Sequence, residues 1–158
     1  MAASLHIFEE FVWPGGFSRW YQKYRGDAST VNRRFLVIIN AALLIGLFEA
    51  ALLGPTSIGV AWLLIFSGIL FSNGCWHLWA SYSSRSYSPG AISGTFLYLP
   101  LGVCEYAGWM HFGRASLRTA AMALLIGCSY PLWSALYHRP RKKPDHSQRR
   151  SSSLRGGG

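Results

Sequence analysis

The densest set of chemically active side chains in this sequence lies within its first ten positions. His6, Glu9 and Glu10 occupy one turn, His-Ile-Phe-Glu-Glu, and residues three and four apart on an α-helix share a face. An imidazole and two carboxylates form a compact nitrogen and oxygen donor set, in a chain with only 6 acidic residues among 158. Asn73 and His77, four apart inside an apolar run, follow the same rule. Two histidines with a carboxylate suit a divalent metal such as Zn, Fe or Mn, and helical bundles commonly hold such ligands on facing helices. A metal so placed polarises a substrate oxygen or acidifies a bound water. Plainer roles exist for the same residues. The His6 turn can be a solvated interfacial helix, and Asn73 with His77 can join neighbouring helices by hydrogen bonds.

The elements that must position these groups are apolar. Hydrophobic residues make up 51% of the chain and charged residues 13%, against about 25% charged in soluble domains. Four runs, Phe35 to Leu53, Ile58 to Ala80, Gly90 to Met110 and Thr119 to Tyr137, each reach the roughly 20 residues that cross a bilayer. The expected fold is therefore all-α, a polytopic transmembrane bundle of four spans joined by short connections. Ahead of them, Ala2 to Trp13 predicts a short amphipathic helix with Leu5, Ile7, Phe8, Phe11 and Val12 as its oily side, stopped by Pro14-Gly15-Gly16. Phe17 to Tyr24 mixes aromatic and basic residues, as at a headgroup boundary, and a polar loop through Asp27 and Asn32 follows.

Charge sets the orientation. With four spans, every basic residue except Arg114 and Arg118 falls on one side, which places both termini in the cytoplasm of a multi-pass cell-membrane protein. Residues 1–138 form the membrane-embedded domain. The tail, 139–158, is rich in Pro, Ser, Arg and Gly; it is expected to be disordered and to meet anionic lipid. Because much of the +9 charge sits in that tail rather than on a folded face, nucleic acid is not an expected partner. Cys75, Cys104 and Cys128 lack CxxC spacing, which argues against a disulfide framework or thiolate metal site and predicts buried packing thiols. Met1 to Leu5 has no signal-peptide character, so insertion is expected from the internal helices.

Polar residues inside the runs need a partner or a task, since each costs a few kcal/mol in lipid. Asn40 and Glu49 lie in the first run and Glu105 in the third. Glu105 can be a further ligand, a proton carrier or a protonated acid bonded to a neighbouring helix, and Glu49 can snorkel. With this topology His6, Glu9, Glu10, Asn73 and His77 gather near the cytoplasmic interface. Arg85 and Tyr87 lie beside them, either facing a polar substrate headgroup or serving as headgroup anchors. Pro100 and Pro131 are expected to bend the third and fourth spans, and Gly90 and Gly94 permit close helix approach.

Three motifs in order, His6-Ile-Phe-Glu9-Glu10 with Trp13-Pro14-Gly15-Gly16-Phe17, Asn73-Gly-Cys-Trp-His77, and Tyr87-Ser-Pro89-Gly90, resemble the HXXEE family of integral membrane proteins. The resemblance covers about residues 5 to 110 and marks His6, Glu9, Glu10, Asn73, His77, Tyr87, Pro89 and Gly90. It implies a membrane protein with a His and Glu centre and lends no substrate. The pattern leads us to expect more apolar helix before His6; were that helix to span, there would be five crossings. The leading functional expectation is a membrane enzyme with a divalent metal on His6, Glu9, Glu10 and His77, acting on a lipid or hydrophobic small molecule that Asn73 orients. The alternative is a non-enzymatic carrier or scaffold whose buried polar groups pair or relay protons, and a carrier of this length would need a homo-oligomer to form a path.

Overall fold

The breakers in the sequence end helices where their chemistry requires. After the first helix, Gly15 and Gly16 turn the chain at φ 67° and 83°, and the Gly15 N–H returns to the Glu9 carbonyl at 3.0 Å. Thr56 caps the longest helix, its hydroxyl accepting the Gly59 N–H at 3.0 Å. The computed structural model describes residues 1–25 and 33–137; the loop through Asp27 and Asn32 and the tail 139–158 lie outside the described residues. The described elements are helical throughout: α1 Ala2–Phe11, α2 Phe17–Arg25, α3 Arg33–Leu53, α4 Ser57–Ser84, α5 Ala91–Ser93, a π-helical turn Gly94–Tyr98, α6 Leu99–His111 and α7 Leu117–Tyr137.

Each of the four apolar runs thus forms helix, the third as a continuous rod over 91–111. Among the described residues, the helical stretches Arg34–Leu53 and Ser57–Ser84 are long and apolar enough to cross a membrane. The π turn lies just ahead of Pro100, which has no N–H to donate, and the Leu99 N–H reaches back to the Gly94 carbonyl. Its register has a consequence for the centre. Residues five apart, which diverge on an α-helix, come to one side on a π turn.

α4 is the axis of the bundle, with α3, the π turn, α6 and α7 all packed on it. Glycines set the closest approaches. A Cβ on Gly127 of α7 would lie 2.6 Å from the Ile65 carbonyl oxygen and 2.8 Å from the Gly68 Cα, and one on Gly74 would lie 2.9 Å from the Gly94 carbonyl oxygen. The Tyr106 hydroxyl donates to the Leu64 carbonyl at 2.8 Å, tying α6 to α4. At the other end of α4, Phe17 and Tyr21 of α2 pack with Leu36 and Trp76, while the Trp20 indole N–H donates to Ser86 Oγ at 3.1 Å.

The bundle carries large apolar side chains on its outside, among them Ile38, Phe48, Leu52, Trp79, Phe96 and Leu125. α1 follows the same rule. Its polar residues His6, Glu9 and Glu10 face inward, whereas Leu5, Phe8 and Val12 are 53%, 49% and 64% exposed. The cysteines also depart from expectation. They are free, but Cys75 and Cys104 lie on the outer surface rather than in the core.

Because the three atoms nearest to a Cβ at Gly127 are all backbone, Gly127→Val should destabilise the fold by about 1–3 kcal/mol through overpacking. Gly108→Ala should be neutral or stabilising by up to about 1 kcal/mol, since nothing lies within 4 Å of its added Cβ. Thermal unfolding of the purified variants checks the pair.

Candidate metal centre

The two adjacent glutamates of α1 do different work. Glu9 points at the start of the 91–111 rod, where the backbone N–H groups have no partners within the helix. Its Oε1 accepts the Gly90 N–H at 2.9 Å and the Ile92 N–H at 3.0 Å. Its Oε2 accepts the Ser93 N–H at 2.7 Å, and the Tyr87 hydroxyl donates to Oε1. Burial would raise the Glu9 pKa, but the hydrogen bonds from Ser93, Tyr87 and the Ile92 backbone outweigh it and hold the carboxyl at about 2. Burial, with the Glu9 carboxylate beside it, pushes the Tyr87 hydroxyl well above its usual range, so Tyr87 serves as a donor.

Glu10 points instead at the two histidines. Its Oε1 lies 3.5 Å from His6 Nε2 and 3.3 Å from His77 Nε2. Burial again opposes its charge, and the two imidazoles prevail, keeping the carboxyl below the usual range. His6, Glu10 and His77 are 2%, 6% and 1% exposed, which rules out the solvated-turn reading. One donor atom from each lies within 4.8 Å of the others.

The far ring nitrogens are held in turn. His6 Nδ1 is 2.8 Å from Ser93 Oγ and His77 Nδ1 is 2.9 Å from Ser88 Oγ. Ser93 Oγ also donates to the Gly90 carbonyl at 3.4 Å, which leaves its oxygen to accept from His6 Nδ1–H and the His6 Nε2 lone pair to accept from the Asn73 amide. Asn73 Nδ2 lies 3.1 Å from that Nε2. Tyr98 packs against the His6 ring, tilted by 31° at a 4.5 Å centroid separation, brought there because Ser93 and Tyr98 are five apart across the π turn. The Tyr98 hydroxyl is fully buried and has no hydrogen-bond partner among the described residues.

This donor set fits a divalent cation. Tetrahedral bonds of about 2.0–2.1 Å place neighbouring ligand atoms roughly 3.3 Å apart, and the carboxylate already sits at 3.3 and 3.5 Å from the two nitrogens. Each imidazole has its second nitrogen fixed by a hydroxyl, the outer support that metal-binding histidines require. Gly90 makes the fit sterically feasible. At φ 104° it occupies a conformation open to glycine, and a Cβ there would lie 2.6 Å from His77 Cε1 and 2.8 Å from His6 Cε1.

Of the residues singled out in the sequence, His6, Glu10, Asn73 and His77 come together. Glu9 does not join them as a ligand, because both its oxygens are taken by the 90–93 backbone. Tyr87 is bound to Glu9 rather than turned to the centre. Arg85 ends α4 in the left-handed conformation at φ 50° and shares a shallow outer depression with Tyr87. Glu105 lies about 18 Å along the rod from Ser93 and accepts the Trp109 indole N–H at 2.6 Å, apart from the cluster of His6, Glu10 and His77. Ser88, Ser93 and Tyr98 were not read from the sequence. Ser88 stands inside the Tyr-Ser-Pro-Gly motif, and no sequence signal marked the other two.

An apolar cavity of about 360 Å³ adjoins the centre, with Glu10 and Asn73 in its lining. These features define an all-helical protein with a buried His and Glu centre between α1, α4 and the start of the 91–111 rod. The chain belongs to the family described as a protein of unknown function with HXXEE motif, whose profile matches residues 1–104. Comparison with curated proteins and with solved structures finds no match.

Glu9→Gln replaces one accepting oxygen with a donor that must face the 90–93 N–H groups or the Tyr87 hydroxyl. We expect a loss of about 2–3 kcal/mol in stability, measured by thermal unfolding.

Proposed function

We propose that this protein is a multi-pass membrane enzyme in which His6, Glu10 and His77 hold a divalent metal, Zn, Fe or Mn, and act on a lipid or hydrophobic small molecule. The observation that carries the reading is the convergence of three buried donors, with Glu10 Oε1 3.5 and 3.3 Å from the two imidazole nitrogens and all three donor atoms within 4.8 Å of one another. When bound, such a metal supplies Lewis acidity to a substrate oxygen. The chain's own residues do the positioning. Ser93 and Ser88 fix the imidazoles, Glu9 fixes the backbone that carries Ser93, and Asn73 presents its amide beside His6 to orient the substrate. Hydrolytic and oxidative chemistry both fit this set.

The membrane setting draws support from the two long apolar helices and from the apolar outer face of α1. In the proposed topology the rod 91–111 and α7 also span, the termini are cytoplasmic, and the centre lies near the cytoplasmic interface with Arg85 at its rim. The basic tail meets anionic lipid.

A second reading has a specific observation behind it. Asn73 Nδ2 reaches the same His6 nitrogen that a metal would need, as it would in a non-enzymatic bundle where Glu10 and the histidines share a proton. Elemental analysis of purified protein separates the two. We expect one metal per chain, lost in Glu10→Gln and His77→Ala, retained in Glu105→Gln, and held about 10–100-fold more weakly in Ser88→Ala. Metal-free protein of undiminished stability would favour the proton-sharing bundle.

A further inference from the structure

We propose that the cleft between α3 and α7 binds a single unbranched apolar chain, its oxygen-bearing head against Glu10 and Asn73 and its tail running towards Phe66. This deepens the functional reading above and rests on it for the role of Glu10.

The polarity of the cleft runs in one direction. Glu10 and Asn73 line it at the level of the metal centre, and the walls beyond are Ile39, Leu43, Ile69 and Leu70. Asn40 also lines the cleft, but its amide is committed to the Leu36 carbonyl of its own helix at 3.0 Å. That bond uses the Nδ2 donor, and Oδ1 stays an acceptor on the α3 wall. The length follows from helix register. Asn73 and Phe66 are seven residues apart on α4, about 10 Å at 1.5 Å per residue. That gives room for about eight carbons at C–C bonds near 1.5 Å.

Phe66 marks the far end. Its ring lies directly over Gly46 of α3, in space that any Cβ at Gly46 would occupy. Contact of that ring with bare backbone draws α3 onto α4 there. Leu36, in contrast, belongs to the aromatic cluster at the metal-centre end. The cleft also has a side entrance. α3 and α7 each pack on α4 and not extensively on one another, and Ala42, a lining residue, is exposed on the outer surface. A chain lying in the bilayer could enter between the two helices without passing through water.

The test uses full-length protein in nanodiscs, with octanol brominated on the carbon next to its hydroxyl-bearing carbon as probe, which sets the bromine at the metal-centre end beside Trp76. Bromine quenches indole fluorescence on contact, and Trp76 and Trp133 line the cleft. Saturable quenching is expected for the natural sequence and at least ten-fold weaker binding for Leu70→Phe, with metal content unchanged. Leu43→Phe fills the same space from α3 and keeps the test decisive if Leu70→Phe fails to fold. Phe66→Ala should bind the corresponding dodecanol more tightly than the natural sequence does. Quenching that never saturates, or that is equal in the natural sequence and the filled variants, overturns the proposal. Metal content is measured in the same samples. Metal without saturable chain binding overturns the cleft alone, whereas chain binding in metal-free protein supports the cleft and overturns the metal centre alone.

Discussion

The arrangement of the centre depends on the seat that the Glu9 carboxylate takes at the start of the 91–111 rod. α1 is short and turns its apolar side outward, so little hydrophobic burial is available to hold it on the bundle. It is held instead by charge-assisted hydrogen bonds from three backbone N–H groups and one hydroxyl. Hydrogen bonds to a charged group contribute about 1.5–3 kcal/mol each when well formed. The contacts also satisfy donors that a helix start otherwise leaves open. With Glu9 fixed, helix geometry determines where His6 and Glu10 must be. His6 is three residues before Glu9 and Glu10 one after, and both reach His77 on α4.

Two neighbouring glutamates with opposite functions follow from this placement. Each helical residue rotates the side chain by about 100°, so Glu9 and Glu10 cannot address the same partners. One meets a ring of donors and becomes a fixed structural charge. The other meets two imidazoles and remains available to a cation. The sequence shows only that both are carboxylates beside a histidine. It does not show which side of α1 faces the 90–93 turn, because that turn is more than 80 positions away.

The helices were legible because their breakers are local. Gly54-Pro55-Thr56 and Pro14-Gly15-Gly16 end elements by their own turn chemistry, and the apolar runs became helices with ends only a few residues from those expected. The burial of α1 was legible in part. Its two-sided pattern was visible, but which side faced inward depends on what surrounds the molecule. Asn73 and His77 could be paired by spacing alone. Ser93 and Tyr98 could not, since they meet His6 together only through the π turn, and i,i+5 spacing carries no signal in an α-helical reading. Depth in an apolar run does not by itself mark function, since Glu105 has a partner one turn later in its own helix, the Trp109 indole.

The centre is assembled from segments that have no contact until the chain has folded. His6 and Glu10 come from α1, His77 from α4, and the supporting hydroxyls from residues 88 and 93. An unfolded chain offers no such set, so any cation bound there stabilises the folded state by mass action. The same logic explains the glycines. Gly90 lets the two imidazoles approach the backbone, and Gly74 with Gly94 lets the rod approach α4 closely enough for Ser93 and Tyr98 to reach His6. A Cβ at Gly74 meets the Gly94 backbone, so a larger residue there would push the rod off α4 and carry the Ser93 hydroxyl with it. The spacing of donors around Glu10 is therefore set by two constraints together, the backbone contact of the rod with α4 and the Glu9 carboxylate that seats α1 on the rod.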